Sequence, residues 1–337
     1  MKNNSINTAA ANNNFNKNNL GGIAMMNGII NNMKDFADTV KAAIDVSLGA
    51  GHEVEVREVL KNNGTRHTGL TIKNEEKSNV APTIYLEGFY DKYQNGVSAS
   101  SIVEEIMRIY DTHKVDCRFD ASMVTEYDRA KEKICYKLVN AERNKALLED
   151  APHIIVCDDL AVLFYILVSN DGEGTATITV RNNMSDLWGV SADELFKLAL
   201  ANTQRLFRGT VMSMASVMME LLSDRLDEEG CKEFYDMVVS DNDVPLYVCS
   251  NTSKVNGAGV ILYENLLKDF ADKVGTDFFI LPSSVHETLL VPVSDQFDLD
   301  KLRAMVCEVN MTQVAPEEQL SDNVYLYSRE DDKIRLA

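Results

Sequence analysis

The chain has 337 residues, of which 45% are apolar and 25% are charged, and its formal net charge is −19. This length and composition are typical of a folded protein with one large domain or two. They exclude the class of proteins that are too short or too polar to bury a hydrophobic core. Residues 219–337 hold 24 acidic and 10 basic residues, a net charge of −14. Because such a region repels phosphate, we expect no direct binding of DNA or RNA.

The cysteine pattern and the hydropathy indicate a cytoplasmic protein. Six cysteines occur, and no two of them are closer than 18 positions, so there is no Cys-x-x-Cys pair and no zinc-finger spacing. Free thiols fit a reducing compartment. The longest uninterrupted apolar run, Leu160 to Val168, is too short to cross a bilayer as a helix. We therefore predict no membrane association.

The N-terminal end is predicted to be a disordered leader over residues 1–32. Nine of the first 19 residues are asparagine, and so polar a tract cannot offset the entropy lost on ordering. We expect the folded chain to begin near Met33. The predicted organisation is an N-terminal α+β domain (33–210), a helical connector (211–243) and a C-terminal α+β domain (244–337).

The first domain is predicted to begin with a helix, a hairpin and a second helix. Apolar residues recur every fourth position over 34–48, which indicates a helix. Residues 53–57 alternate between charged and apolar, as in a half-buried strand, and Asn63-Gly64 is a type I′ turn signal. Ser101 and Glu104 have the spacing of a capping box at the start of the next helix.

The middle of the chain is predicted to contain a central hairpin and a capped helix. Residues 123–132 have a helical pattern, and 134–139 could continue that helix, although a strand is favoured. The run 160–168 is apolar on both faces, which indicates a covered central strand, and 175–180 would return beside it. Ser191, with Glu194 three residues later, forms a capping box.

Residues 209–240 have a helical, methionine-rich pattern. Methionine side chains adapt to irregular surroundings. They would therefore serve either as core packing or as the wall of a soft peptide-binding groove.

The C-terminal domain has the clearest pattern. Tyr263 to Val274 is an amphipathic helix that Gly275 would close. A last helix is predicted over 302–309 and a final edge strand over 324–327. The other predicted strands are 246–249, 258–262, 278–281 and 288–293. Because strands arrive in hairpin-like pairs between helices, we predict an α+β fold of antiparallel sheets, built from hairpins and covered on one face by amphipathic helices, in two subdomains.

The segment Leu281-Pro-Ser-Ser-Val-His-Glu has the highest density of reactive side chains. Ser284, His286 and Glu287 are the candidate catalytic residues. On an extended strand Ser284 and His286 would share a face about 7 Å apart, too far for the hydrogen bond that activates a nucleophile. Pro282 also indicates a bend, where serine hydroxyls often bind loose backbone groups. A reactive cluster and a structural corner both remain open.

Two weaker patterns bear on metal or phosphate binding. His153, Asp158 and Asp159 are residue types that bind metals, but their spacing matches no recognised metal-binding motif. Gly257 and Gly259 lie in Asn-Gly-Ala-Gly, which lacks the remaining residues of a phosphate loop and suggests a hairpin turn. We predict no cofactor and no metal.

The ordered set of segments resembles a known protein family over about residues 34–330. It is similar to an uncharacterised domain-of-unknown-function family found in gut Firmicutes and sometimes near mobile elements, and more loosely to a second uncharacterised Firmicutes family. Neither has an assigned activity, so the resemblance implies no catalytic residue. The segments that carry it are Glu53-Val-Glu-Val-Arg-Glu-Val-Leu-Lys-Asn-Asn-Gly, Pro82-Thr-Ile-Tyr-Leu, Glu142-Arg-Asn-Lys-Ala-Leu-Leu, Leu187-Trp-Gly-Val, Phe279-Ile-Leu-Pro-Ser-Ser-Val-His-Glu, Gln313-Val-Ala-Pro-Glu-Glu and Leu320-Ser-Asp-Asn-Val-Tyr-Leu-Tyr.

The favoured function is a non-catalytic interaction or regulatory module, linked to mobile elements or phage. Its acidic C-terminal surface would bind a protein partner with a basic surface. One alternative is a hydrolase in which His286 acts as base and Ser284 or a metal-bound water acts as nucleophile. Another is a small-ligand-binding protein with its pocket between the two sheet units. The sequence leaves a homo-oligomer open.

Overall fold

The computed structural model describes residues 30–74, 81–113, 120–171, 174–222, 246–294 and 298–337. The chain divides into two compact units, Met1–Leu60 with Arg66–Asp120, and Lys61–Thr65 with Ala121–Ala337. Most of the predicted leader, residues 1–29, lies outside the described residues.

The described residues of the first unit form a three-stranded antiparallel sheet and three helices. The sheet order is β1-β2-β3, and the apolar faces of the strands and helices share one core. Its helices are α1 (Met33–Leu48), α2 (Glu87–Gln94) and α3 (Ala99–His113), and its strands are β1 (His52–Leu60), β2 (Arg66–Asn74) and β3 (Thr83–Tyr85).

Local signals account for most of this first unit. The Asn32 side chain accepts a hydrogen bond from the Asp35 N–H and so begins α1. In the loop that connects β1 to β2, which belongs to the second unit, Asn63 and Gly64 both have positive φ, as the predicted turn requires. The predicted capping box at Ser101 is wrong. α3 begins earlier, and the Ser98 hydroxyl oxygen accepts the Ser101 N–H instead.

The second unit contains a four-stranded and a six-stranded antiparallel sheet. In the small sheet, β6 pairs with β4 on one side and with β5 and then β7 on the other, which confirms that the Leu160 run is a covered central strand. The large sheet has the order β13-β12-β10-β11-β9-β8. The strands are β4 (Ile134–Asn140), β5 (His153–Val156), β6 (Leu160–Asp171), β7 (Gly174–Thr179), β8 (Gly209–Ser213), β9 (Tyr247–Asn251), β10 (Phe278–Leu281), β11 (Thr288–Pro292), β12 (Tyr325–Ser328) and β13 (Lys333–Leu336).

Helices cover both faces of the large sheet, and not one face as predicted. One face belongs to a core shared with the small sheet, where Phe278 and Ile280 pack near the helix Leu266–Val274. On the other face, Leu281 and Val291 pack against Leu302 of the helix Leu299–Thr312. Among the described residues, the helices of this unit are α4 (Ser122–Thr125), α5 (Tyr127–Ala130), α6 (Lys145–Glu149), α7 (Asn182–Trp188), α8 (Ala192–Leu206), α9 (Met214–Leu222), α10 (Leu266–Val274) and α11 (Leu299–Thr312).

Three local predictions in this unit were wrong. Residues 258–262 form a 3₁₀ helix within Gly257–Leu262 and not a strand. The predicted edge strand near 324–327 is interior, because β13 pairs with its outer side. Gly209–Ser213 is a strand and not the start of a helix, since it pairs with β9 along its whole length. The capping box of Ser191 and Glu194 at the start of α8 is confirmed.

The division into units falls near residue 120, whereas the predicted boundaries were at residues 210 and 243. The pairing of β8 with β9 joins the two sides of the predicted connector in one sheet. Residues 223–245 of that connector lie outside the described residues. Among the residues that the structure describes, no helix is both long enough and apolar enough to span a bilayer.

The fold is α+β, as predicted. All three sheets of the described residues are antiparallel, and the helices supply the apolar faces that bury them.

Candidate functional site

The corner formed by residues 282–287 joins β10 to β11 and is not a regular strand. The neighbouring loop holds its backbone, because the Val285 N–H donates to the Glu318 carbonyl at 2.8 Å. In return, the Leu320 N–H donates to the Ser283 carbonyl at 3.1 Å. Ser284 and Gln319 form an isolated antiparallel bridge between the two segments. The corner is therefore fixed by backbone pairing with the loop that precedes β12.

The Ser284 hydroxyl serves the backbone of the corner. Ser284 is buried, and its Oγ accepts the N–H of His286 at 3.0 Å. This is the local turn-forming role that the sequence suggested for a serine after a proline. The hydroxyl proton of Ser284 has no acceptor among the described residues and remains available.

The His286 imidazole has partners other than the serine. Its Nδ1 accepts the backbone N–H of Asn256 at 3.3 Å, and its Nε2 lies 3.6 Å from a carboxylate oxygen of Glu318. Among the described residues, no hydrogen bond joins the imidazole to the Ser284 hydroxyl. The structure thus brings Ser284 and His286 into one corner but does not orient them as a nucleophile and its base. The catalytic hypothesis stays a prediction.

The backbone of His286 is anchored from the opposite side by β9. The Ser250 hydroxyl donates to the His286 carbonyl oxygen at 2.7 Å. Gly257 packs directly on this hydrogen bond, and a Cβ there would lie 2.1 Å from the Ser250 Oγ and 2.3 Å from the His286 oxygen. The Asn-Gly-Ala-Gly segment therefore begins a 3₁₀ helix in which glycine is required by close packing, and not a hairpin turn.

A cavity of about 450 Å³ lies against the same corner, between α9, α11 and one face of the large sheet. Ser283, Ser284 and Glu287 line it, whereas His286 is not among the residues of its wall. Two of the three candidate catalytic residues, Ser284 and Glu287, thus line one partly open cavity. The volume is in the range that small-molecule pockets occupy.

The floor of the cavity is a row of apolar side chains across four strands. Met212 pairs with Val248, Val248 with Leu289, and Leu289 with Leu281, so all four project from the same face of the sheet. The next pair of β8 and β9 residues on this face is polar, with Thr210 opposite Ser250. The floor is therefore apolar along most of its length and polar at the end near Thr210 and Ser250.

Two helices complete the walls. From α9, Met214, Val217 and Leu221 face the cavity at the spacing of one helical face, and from α11 the contribution includes Met305 and Val309. No residue of α9 is buried, and Leu221 is 66% exposed. Of the two readings of the methionine-rich stretch, the described residues fit the wall of a groove better than a packed core.

A polar network fixes the loop behind the corner. The Gln319 amide donates to the Asn310 and Val314 carbonyls and accepts from the Arg143 guanidinium at 3.1 Å. Arg143 also pairs with Asp322. The Asn63 amide donates to the carbonyl of Gln319 at 2.7 Å. Several segments that carried the family resemblance thus meet here and hold the corner in place.

Two of the candidate metal ligands, Asp159 and His153, form hydrogen bonds with other groups of the protein. The Asp159 carboxylate accepts from the hydroxyls of Ser321 and Tyr325 and from the Asn323 amide. Burial, followed by the bond to Asp159, raises the pKa of the Tyr325 hydroxyl. The His153 Nδ1 is hydrogen-bonded to the Ala151 carbonyl. Within the described ranges, no group of three or more His, Cys, Asp or Glu side chains is arranged to hold a metal ion.

Only part of the predicted acidic surface lies in the residues that the structure describes. Eight acidic and two basic residues of the C-terminal third lie in residues 223–245, outside the described part of the chain. Several of the remaining acids have basic partners, such as Asp322 with Arg143, Asp272 with Arg329 and Glu220 with Lys254.

The fold and site define an α+β protein with a largely apolar cavity beside a backbone-fixed corner. The chain belongs to a family of unknown function, DUF5688, which matches residues 33–329. The resemblance to a domain-of-unknown-function family is thereby confirmed over nearly the predicted extent. Neither the curated proteins nor the solved structures include a match to this chain.

The corner was predicted from the sequence, whereas the cavity was not. Its floor comes from four strands that are spread over residues 209–292, and β8 was predicted as a helix. The available signals were the methionine-rich run and the alternation in β9 and β11.

Proposed function

We propose that this protein binds a small, largely apolar molecule in the cavity between α9, α11 and the face of β8, β9, β11 and β10. The observation that carries the proposal is a partly open cavity of about 450 Å³ with an apolar floor and partly exposed helical walls. A ligand there would cover apolar side chains that otherwise face water, at about 25 cal/mol for each Å² removed from water.

Binding is favoured over hydrolysis by the geometry of the corner. The Ser284 oxygen and the His286 Nδ1 both accept backbone N–H groups, and the imidazole lies outside the cavity wall. A ligand site needs only shape, apolar surface and a few polar groups, all of which the cavity has.

The proposal is tested by titration with N-phenyl-1-naphthylamine, a neutral probe whose fluorescence rises in apolar surroundings. We expect saturable binding of one probe per chain. Val309→Phe, which places a ring in the cavity, should weaken binding at least tenfold. Val46→Phe makes the same change on the exposed face of α1, where Val46 is 52% exposed, and should leave binding unaltered.

Two results would overturn this function. One is the absence of saturable probe binding to the unsubstituted protein. The other is equal binding by Val309→Phe and the unsubstituted chain, with both shown to be folded by the fluorescence of Trp188, the single tryptophan. Stabilisation provides a second readout, because a ligand at 100 times its Kd adds about 2.7 kcal/mol to the free energy of unfolding.

Several predictions from the sequence stay predictions. These are a basic protein partner for the acidic region, a cytoplasmic location, a Firmicutes origin and a link to mobile elements or phage. The four cysteines that the structure describes are free thiols, which supports a reducing compartment.

A further inference from the structure

We propose that the cavity selects amphiphiles that carry a protonated amine, and that the Glu287 carboxylate receives the ammonium group. This inference rests on the proposed function and specifies its ligand class. It follows from the charges at the polar end of the cavity, which are Glu220, Lys254 and Glu287.

The single cation among these residues already has a partner. The Lys254 ammonium lies 3.6 Å from a carboxylate oxygen of Glu220, so their charges offset each other. A ligand carboxylate would have to compete with Glu220 for Lys254. The cavity therefore offers little net attraction to an anionic head group.

Glu287 differs from Glu220 in having no partner of its own. Among the described residues, no ion pair or hydrogen bond engages its carboxylate, although it is partly buried in the cavity wall. A partly desolvated carboxylate attracts a cation more strongly than one in open water does. Within the described part of the chain, the cavity thus presents one uncompensated negative charge.

The two serines beside Glu287 supply the further acceptors that an ammonium needs. An –NH₃⁺ group has three donors and no acceptor. The Ser283 hydroxyl makes no hydrogen bond with the described residues, and the Ser284 oxygen, which already accepts one N–H, keeps a second lone pair. With Glu287, these oxygens match three donors. The apolar floor beyond them would take the alkyl chain.

The test compares three probes that share one ten-carbon chain: decylammonium, decanol and decanoate. Each is used to displace N-phenyl-1-naphthylamine from the full chain at low ionic strength. We expect decylammonium to bind about tenfold more tightly than decanoate, with decanol between them. A preference of this size is expected when the ammonium and the partly buried Glu287 carboxylate form a charge-assisted hydrogen bond. Added salt should reduce this preference.

The decisive variant is Glu287→Gln, with Glu308→Gln as its control. Both remove one negative charge, but Glu308 is exposed on α11 and does not line the cavity. Glu287→Gln should bring the three probes to within about threefold of one another, whereas Glu308→Gln should keep the preference for decylammonium. Glu220→Gln should improve decanoate binding, because it leaves Lys254 uncompensated.

The failures of the two proposals are distinguishable. If decanol and the neutral probe bind but decylammonium has no advantage, or if Glu287→Gln retains that advantage, the head-group inference is wrong and the binding function stands. If none of the alkyl probes displaces the neutral probe, or the neutral probe itself does not bind, both are wrong.

Discussion

Replacement of Gly257 by alanine should destabilise the second unit strongly, because the added Cβ has no room. It would lie 2.1 Å from the Ser250 Oγ, 2.3 Å from the His286 carbonyl oxygen and 2.9 Å from the Asn251 nitrogen. Ser250 Oγ is a side-chain atom that can rotate away, but the other two are backbone atoms of β9 and of the corner. Relief therefore requires the backbone to move.

The expected magnitude combines two effects. Overpacking of a tight site costs about 1–3 kcal/mol. The displaced Ser250 hydroxyl also loses its 2.7 Å hydrogen bond to His286, which is worth about 0.5–1.5 kcal/mol. We expect Gly257→Ala to lower the free energy of unfolding by about 2–4 kcal/mol. Ser250→Ala alone, which removes the bond but not the space, should cost about 1 kcal/mol.

The assay is urea unfolding followed by the fluorescence of Trp188, which lies in the second unit and donates its indole N–H to the Val124 carbonyl. Gly88→Ala is the control, because a Cβ there meets nothing within 4 Å. The double variant Ser250→Ala/Gly257→Ala should remain well below Ser250→Ala, since the contact with the His286 oxygen persists. A Gly257→Ala protein within about 0.5 kcal/mol of the unsubstituted one would refute the packing argument.

Three further predictions concern the second unit. Burial raises the pKa of the Cys249 thiol from 9.0 to about 12, so the stability that the protonated thiol contributes is complete below pH 9 and falls as the pH rises toward 12. Between pH 8 and 10.5, the free energy of unfolding measured in urea should fall by about 2 kcal/mol more for the unsubstituted chain than for Cys249→Val, and equal decreases would contradict this. Ser191→Ala should cost about 1 kcal/mol by removing the cap of α8, while Glu194→Gln keeps most of the capping box and should cost less. Ser284→Ala should cost about 1 kcal/mol in thermal unfolding because the His286 N–H loses its acceptor, whereas Ser283→Ala, which breaks no hydrogen bond, should match the unsubstituted chain.

Elements with strong local signals were predictable from the sequence. α1 and α10 have helical periodicity, β6 is apolar on both faces, and Ser191 with Glu194 forms the predicted cap. In each case the information lies within about a dozen consecutive residues, which is why a pattern suffices.

Elements whose state depends on distant partners were not predictable. β8 begins the methionine-rich stretch that was predicted as a helix, but pairing with β9 makes residues Gly209–Ser213 a strand. Residues 258–262 have an apolar run typical of a strand, but Gly257 must fit beneath the bond between Ser250 and His286, and the backbone turns into a 3₁₀ helix.

The sequence by itself determined the α+β class, the family resemblance and the corner at residues 282–287 as the densest cluster of polar side chains. Only the tertiary structure decided what that cluster faces. The row from Met212 through Val248 and Leu289 to Leu281 comes from four strands, and no local pattern reports their register. Because a cavity is defined by the distances between separate elements, it exists only after the sheet and its two helices have packed.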